Sequence, residues 1–217
     1  MTTLYLDIET LPAAWTSEQI DAHANRAVPA NYSKPETIIK WIAENRDEAH
    51  ARTALDWRYC RVLAIGYALD DEPAECLYSE RGDDEGLHAM FDRLSEVVGA
   101  KCRHDAGLVI VGHNAVTFDL PILTRNAWRL VDPIARMFRL ASVHDTGEVW
   151  KAGDRRANMA KLSDIAEFLG VGEKAEGLSG SEIYPAWLAG EHERIRRYCA
   201  QDVELTRAIY RRCRVLA

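Results

Sequence analysis

Long apolar runs are missing from this 217-residue chain. No stretch approaches the roughly 18 to 20 consecutive apolar residues that a membrane helix needs, so no membrane partner is expected. The first residues lack a basic segment followed by an apolar stretch and a small-residue cleavage site. No secretory signal is read there, and the cytoplasm is the expected compartment. Cysteine is sparse and scattered: Cys60, Cys76, Cys102, Cys199 and Cys213 are odd in number and form no CxxC pair. That argues against a disulfide framework and against a structural zinc site. Internal repeats and low-complexity tracts are absent as well. Positive charge is also short, with 27 Lys and Arg against 34 Asp and Glu and a net charge of -7. Phosphate binding favours a basic surface, so a high-affinity, non-specific DNA coat is disfavoured.

What remains is an ordinary globular composition, 47% apolar and 28% charged, long enough for one large domain, residues 1–217, or a domain carrying an insertion. The pattern predicts a first strand around "LYLDIET", Leu4 to Thr10. A polar, mixed stretch from about 13 to 57 then holds one helix with Pro35 in its first turn. That length exceeds a connection and reads as an insertion or lid. A hairpin follows, with strands over Arg61–Leu69 and Ala74–Ser79. Next come a helix in "DDEGLHAMFDRLSEVVGA", a central strand in "GLVIVGHN", and a helix from Phe118 to about Val131 with Thr117 as its cap. "FRLASVHDT" is read as a fifth strand, and "MAKLSDIAEFLGV" as a helix stopped by Gly170. "GVGEKAEGLSGSE" is a loop, and "EHERIRRYCAQDVELTRAIYRRCRVL" is a long final helix. The order implies an α/β sheet with an antiparallel side.

The first strand poses the functional question. Side chains two apart share a face, so Asp7 and Glu9 converge opposite Leu4, Leu6 and Ile8. Two adjacent carboxylates repel unless something positive sits between them, and a divalent metal is the simplest candidate. Two other stretches carry matching chemistry. "HNAVTFDLPIL" sets Asn114 after a buried strand and Asp119 at a helix start. "YCAQD" places Tyr198 and Asp202 four apart on one helical face, a face that also carries Ile195, Leu205 and Ile209 and is expected to pack against the sheet.

DIE, Asn-x-x-x-Phe-Asp and Tyr-x-x-x-Asp, in that order, resemble the DEDD superfamily of 3′–5′ exonucleases, tyrosine (DEDDy) subtype. The likeness is nearest to exonucleases related to the proofreading domain of family B DNA polymerases. It runs from Asp7 to the last helix and includes "KLSDIAEFLG" and "GSEIYPAWLAGEHERIRRYCAQDVELT". The resemblance implies a ribonuclease H-like fold: a five-stranded mixed sheet of order 3-2-1-4-5, strand 2 antiparallel, flanked by helices, with a helical insertion after strand 1. It implies hydrolysis from the 3′ end of single-stranded nucleic acid, DNA ahead of RNA, releasing nucleoside 5′-monophosphates. Two divalent ions, Mg²⁺ or Mn²⁺, about 3.5 to 4 Å apart, would do the electrostatic work.

By the same resemblance Asp7 bridges both ions, Glu9 and Asp202 complete the nucleophile-side ion, and Asp119 holds the second through water. Tyr198 orients the attacking water, since a phenol is a poor base unaided. The other subtype carries His five residues before the final Asp, where this chain has Arg197. Thr10, Leu11, Asn114 and Phe118 are the implied substrate contacts, with Leu11 wedged against the terminal bases. Partners are 3′ ends of single-stranded DNA or RNA, with a separate polymerase or repair protein as a further class. A catalytically inactive binding member of the same fold is the alternative.

Other readings compete at single residues. Asp7 or Glu9 could be edge-strand charges, Asp119 a favourable helix-dipole partner, and Tyr198 and Asp202 ordinary packed helix residues. Asn114 either contacts substrate or satisfies its turn. Asp145 reads as a turn or cap residue rather than a ligand, and His113 and His144 as structural. Lys151, Arg155 and Arg156 form a basic loop, either solvated or on phosphate. Trp15 and Trp41 are candidates for base stacking. Between Arg125 and Lys161, basic residues outnumber acidic ones eight to four, so the charge is uneven along the chain.

Overall fold

The computed structural model describes residues 1–102, 107–154, 156–173 and 178–214. Its element order is β1 (Thr2–Leu11), α1 (Ser17–Ala27), α2 (Pro35–Ala51), β2 (Arg61–Leu69), β3 (Glu75–Tyr78), α3 (Asp84–Lys101) and β4 (Leu108–Gly112). Then come α4 (Asp119–Arg129), α5 (Ile134–Leu140), β5 (Ser142–Asp145), α6 (Thr146–Trp150), α7 (Leu162–Leu169), α8 (Ile183–Leu188) and α9 (His192–Arg214).

The strands form one sheet in the order β3-β2-β1-β4-β5. β1 runs parallel to β4 and β4 parallel to β5, while β2 and β3 are antiparallel. β2 also opposes β1, because Asp70, just past its end, meets Thr3 near the start of β1 through two hydrogen bonds of 2.9 and 2.8 Å. β1 is therefore central. Both of its faces are covered, which is why its apolar residues do not alternate cleanly with polar ones. Leu4, Leu6 and Ile8 are buried on one face, Tyr5 and Glu9 on the other. Edge-strand charge is excluded for Asp7 and Glu9.

The chain divides into two compact units, residues 1–9 with 62–217, and residues 10–61. In the second unit α1 packs on α2. α1 went unread in the sequence although Thr16 and Gln19 close a capping box ahead of it. Trp15 is ringed by His23 and Tyr59, each 4.9 Å between centroids. His50 Nε2 sits 2.8 Å from the Ala13 carbonyl. Trp15 thus belongs to a packed aromatic group rather than a base-stacking surface, and the stretch expected as an insertion at about 13–57 falls inside this unit.

In the first unit the last helix, α9, organises the packing. Val203 and Tyr210 join Tyr5, Ala68 and Val111 on the sheet, whereas Leu205 and Ile209 pack against Leu162, Ile165 and Ala166 of α7. The stripe expected to face the sheet is therefore split. Its Leu205–Ile209 part meets α7, and the neighbouring stripe meets the sheet. Each buried aliphatic of this kind contributes about 1.5 to 3 kcal/mol. α7 ends at Gly170 in the left-handed conformation, φ 60°, as expected.

Two boundaries differ from expectation, and two short helices are additional. The fifth strand is only Ser142–Asp145, because Phe138 and Leu140 lie in α5, where Phe138 fills a buried site against Phe91. Phe118, not Thr117, caps α4; the Thr117 hydroxyl turns back to the Asn114 side-chain oxygen. α6 and α8 are short helices that the sequence pattern does not predict. Of the glycine-rich loop and the basic loop, residues 174–177 and Arg155 lie outside the described residues, as do the final 215–217.

Candidate active site

Gly66 sets how closely α9 approaches the sheet. A Cβ there would stand 2.8 Å from Cys199 Sγ, 2.9 Å from the Cys199 carbonyl and 2.9 Å from Val203 Cγ2. Only a residue without a side chain lets the helix backbone come this near. α9 then runs across the face of β1 that carries Tyr5, Asp7 and Glu9. Tyr210 meets Tyr5 at 5.8 Å between ring centroids, and eleven positions earlier Cys199 Sγ lies 3.7 Å from Asp7 Oδ2.

That crossing gathers the acids. Ligand atoms of Asp7, Glu9 and Cys199 all lie within 4.8 Å of one another. Tyr198 is buried beside them. Its burial, and then the negative charges of Asp202, Glu9 and Asp7, push the phenol far above its usual pKa, and its hydroxyl bonds to Asp202. It is a standing hydrogen-bond donor at any physiological pH. Glu9, Asp202 and Asp119 are buried, and Asp7 is half-buried.

Asp119 arrives from the other side. Its Oδ1 accepts from the backbone N–H of Ile8, at 3.0 Å, between the two β1 acids. Burial raises its carboxyl to about 7, with the nearby Asp145 charge adding to the rise and the two backbone bonds opposing it. The tight three-residue group does not include Asp119 or Asp202, so the expected four-carboxylate set is a pair flanked by two further acids. Cys199 is the neighbour sequence reasoning missed. The available signal was its place between Tyr198 and Asp202 on a helix already assigned to the site. Its hydrogen bond with Cys76, then burial and the charges of Asp7 and Glu9, hold its thiol well above the ordinary range, so it is a neutral packing group.

Asp145 positions the loop between β4 and α4. Its Oδ1 accepts from the N–H of Asn114 (2.9 Å) and of Gly147 (3.0 Å), and its Oδ2 from Val116 (2.9 Å). It caps α6 and is a clamp, not a ligand. Asn114 takes the left-handed conformation, φ 59°, and its carbonyl accepts from Phe118 N–H at 3.0 Å. It thus serves its turn, with Phe118 half-buried beside it. Thr10 and Leu11 fall in the second unit. There the Thr10 hydroxyl donates to the Ala54 carbonyl at 2.7 Å, and Leu11 is fully buried, so a wedge role would require uncovering it. His113 is held by Thr146 and the Ala160 carbonyl at 3.0 and 2.9 Å, and the His144 ring meets Tyr210 at 4.6 Å. Both are structural, as expected. Lys151 is paired with Glu148 at 2.7 Å.

The last third of the given sequence, which supplies Tyr198 and Asp202, has a recognisable likeness. Residues 143–217 match the family described as "Predicted 3'-5' exonuclease related to the exonuclease domain of PolB". A DNA polymerase of Archaeoglobus fulgidus is 30% identical over 107 residues, covering 43% of this chain and 14% of that one. The family B DNA polymerase of Pyrobaculum calidifontis is similar in structure, with TM-score 0.58 and 21% identity. The likeness covers 96% of this chain and 24% of the polymerase. It shows the fold: with the 3-2-1-4-5 mixed sheet, the ribonuclease H-like expectation holds. The chain spans about a seventh and a quarter of these relatives' lengths. No helix among the described residues is long and apolar enough to cross a membrane.

Proposed function

We propose that the chain is a metal-dependent 3′–5′ exonuclease that hydrolyses single-stranded nucleic acid from its 3′ end and releases nucleoside 5′-monophosphates. One observation carries this reading. β1 and α9 bring ligand atoms of Asp7, Glu9 and Cys199 within 4.8 Å of one another, with Tyr198 and Asp202 in electrostatic contact and Asp119 on the intervening backbone. The family match over 143–217 supports it. DNA is favoured over RNA because both similar proteins are DNA polymerases; a separate polymerase or repair protein is a fitting partner.

The donor set suits a hard divalent ion such as Mg²⁺ or Mn²⁺, since its charged members are carboxylates and the one sulfur is held neutral. Asp7, Glu9 and Asp202 would hold one ion and Asp119 a second. Ions there supply an activated water and offset charge building on the phosphate. The chain's own groups do the rest. Tyr198, kept protonated, positions the water through its hydroxyl, which in this structure bonds to Asp202. Phe118, which caps α4, is the contact for the incoming strand, and Asp145 fixes the turn through Asn114 and Val116.

The test uses 5′-labelled single-stranded DNA and RNA with Mg²⁺, Mn²⁺ or EDTA. A ladder shortening from the 3′ end, absent in EDTA, is expected. Asp7→Ala should abolish it while circular dichroism stays native, and cleavage by Asp7→Ala at the parental rate would sink the assignment. No cleavage of either polymer under any metal would favour a non-catalytic binding member of the fold.

A further inference from the structure

Beside the candidate active site, Val116 of the turn before α4 and Leu120, Thr124 and Trp128 of α4 follow one another at intervals of four, with Leu120 buried at the base and Val116 and Trp128 exposed. Together with Arg125, and with Val143 of β5 opposite, these residues line a groove of about 310 Å³. Trp128 is 57% exposed, Val116 49% and Val143 40%. Trp128 is a large aromatic face left to solvent next to an exposed arginine, and the groove begins at the turn that carries Asn114 and Asp119.

We infer that this groove is the track along which a single-stranded nucleic acid reaches the site, with a base on Trp128 and backbone phosphate near Arg125. The inference rests on the exonuclease reading and names where its substrate lies. Charge selects the occupant. On a chain of net charge -7, residues 125–161 carry eight basic and four acidic side chains, and Arg136 and Arg139 are exposed on α5, which packs against α4. Aromatic faces interleaved with cations are the recurrent means of gripping single strands without reading sequence. A protein strand adding to the sheet edge is the weaker occupant, because β5 offers only the four residues Ser142–Asp145.

Fluorescence anisotropy of a labelled oligothymidylate in EDTA tests this without cleavage, so it stands apart from the Asp7→Ala assay. Trp128→Ala should weaken binding about 5- to 150-fold, the loss of one stacked base, and Trp128→Phe should restore most of it. Arg125→Glu should weaken binding and flatten its salt dependence. Trp57→Ala, an exposed tryptophan outside the groove, should bind as the parent does. Unaltered affinity in both Trp128→Ala and Arg125→Glu would overturn the proposal, as would a parent that binds no strand. So would a concentration-dependent dimer in sedimentation that Trp128→Ala abolishes while strand binding persists.

Discussion

Gly66→Ala is the sharpest probe of how the site is built. The added methyl meets the Cys199 carbonyl and Val203 Cγ2 at 2.9 Å and Cys199 Sγ at 2.8 Å, each well inside van der Waals contact. Neither the helix backbone nor a β-branched side chain is the free end of a flexible chain, so α9 must retreat by about half an ångström or more. Overpacking of this kind costs about 1 to 3 kcal/mol. Alanine also restricts the unfolded chain, which returns about 0.4 to 1 kcal/mol. The clash outweighs this over nearly the whole range, leaving a net loss of up to about 2.6 kcal/mol and a Tm lower by up to about 10 °C for a chain of this size. Activity should suffer more than stability, because the displaced helix carries Tyr198 and Asp202; a misplacement near 1 Å costs about 100-fold in rate. Thermal denaturation and 3′-end cleavage at saturating Mg²⁺ read the two effects. Gly66→Ala combined with Cys199→Ala should recover part of each, since the sulfur contact goes and the carbonyl contact stays. A Gly66→Ala protein as stable and as active as the parent would refute the claim that this contact sets the helix.

Further outcomes follow from the same geometry. Asp145→Ala removes a cap and leaves the Asn114 and Val116 N–H groups without acceptors, which should cost about 2 to 4 kcal/mol in urea denaturation; a loss under 0.5 kcal/mol would contradict the clamp. Asp119 holds a proton in the folded chain up to about pH 7 that the unfolded chain releases near 3.8. Its contribution is therefore complete at low pH and is lost as pH rises through 7. In EDTA, stability should fall between about pH 4 and 7 and level off above, and Asp119→Asn, which keeps an acceptor for Ile8 N–H, should remove that slope. Tyr198→Phe should slow cleavage roughly 10- to 1,000-fold without abolishing it, the loss of one aimed donor; a parental rate would show the hydroxyl idle.

Much of this was legible in the chain because the site residues break local rules. Acids inside an apolar strand are costly, so Asp7 and Glu9 stand out before any coordinates. Tyr198 and Asp202 were placed correctly on one helical face. Periodicity gives stripes but not their partners, which is why Leu205 and Ile209 were assigned to the sheet when they meet α7. Cys199 escaped notice because a buried thiol looks like any small apolar residue in a helix. Phe138 has a strand-like side chain, and its packing against Phe91 accounts for its place in a helix. The clamp role of Asp145 depends on a loop 31 residues away, a pairing that no local pattern encodes.

Asp7 and Cys199, in contact, are separated by 192 positions. A polypeptide emerging from the ribosome can form most of the sheet while α9 is still unmade, and throughout that interval it lacks Tyr198 and Asp202. Catalytic competence would thus come later in synthesis than the sheet, and a nick that frees α9 would extinguish it while most strands remain paired. Regain of cleavage during refolding should lag behind the return of strand signal.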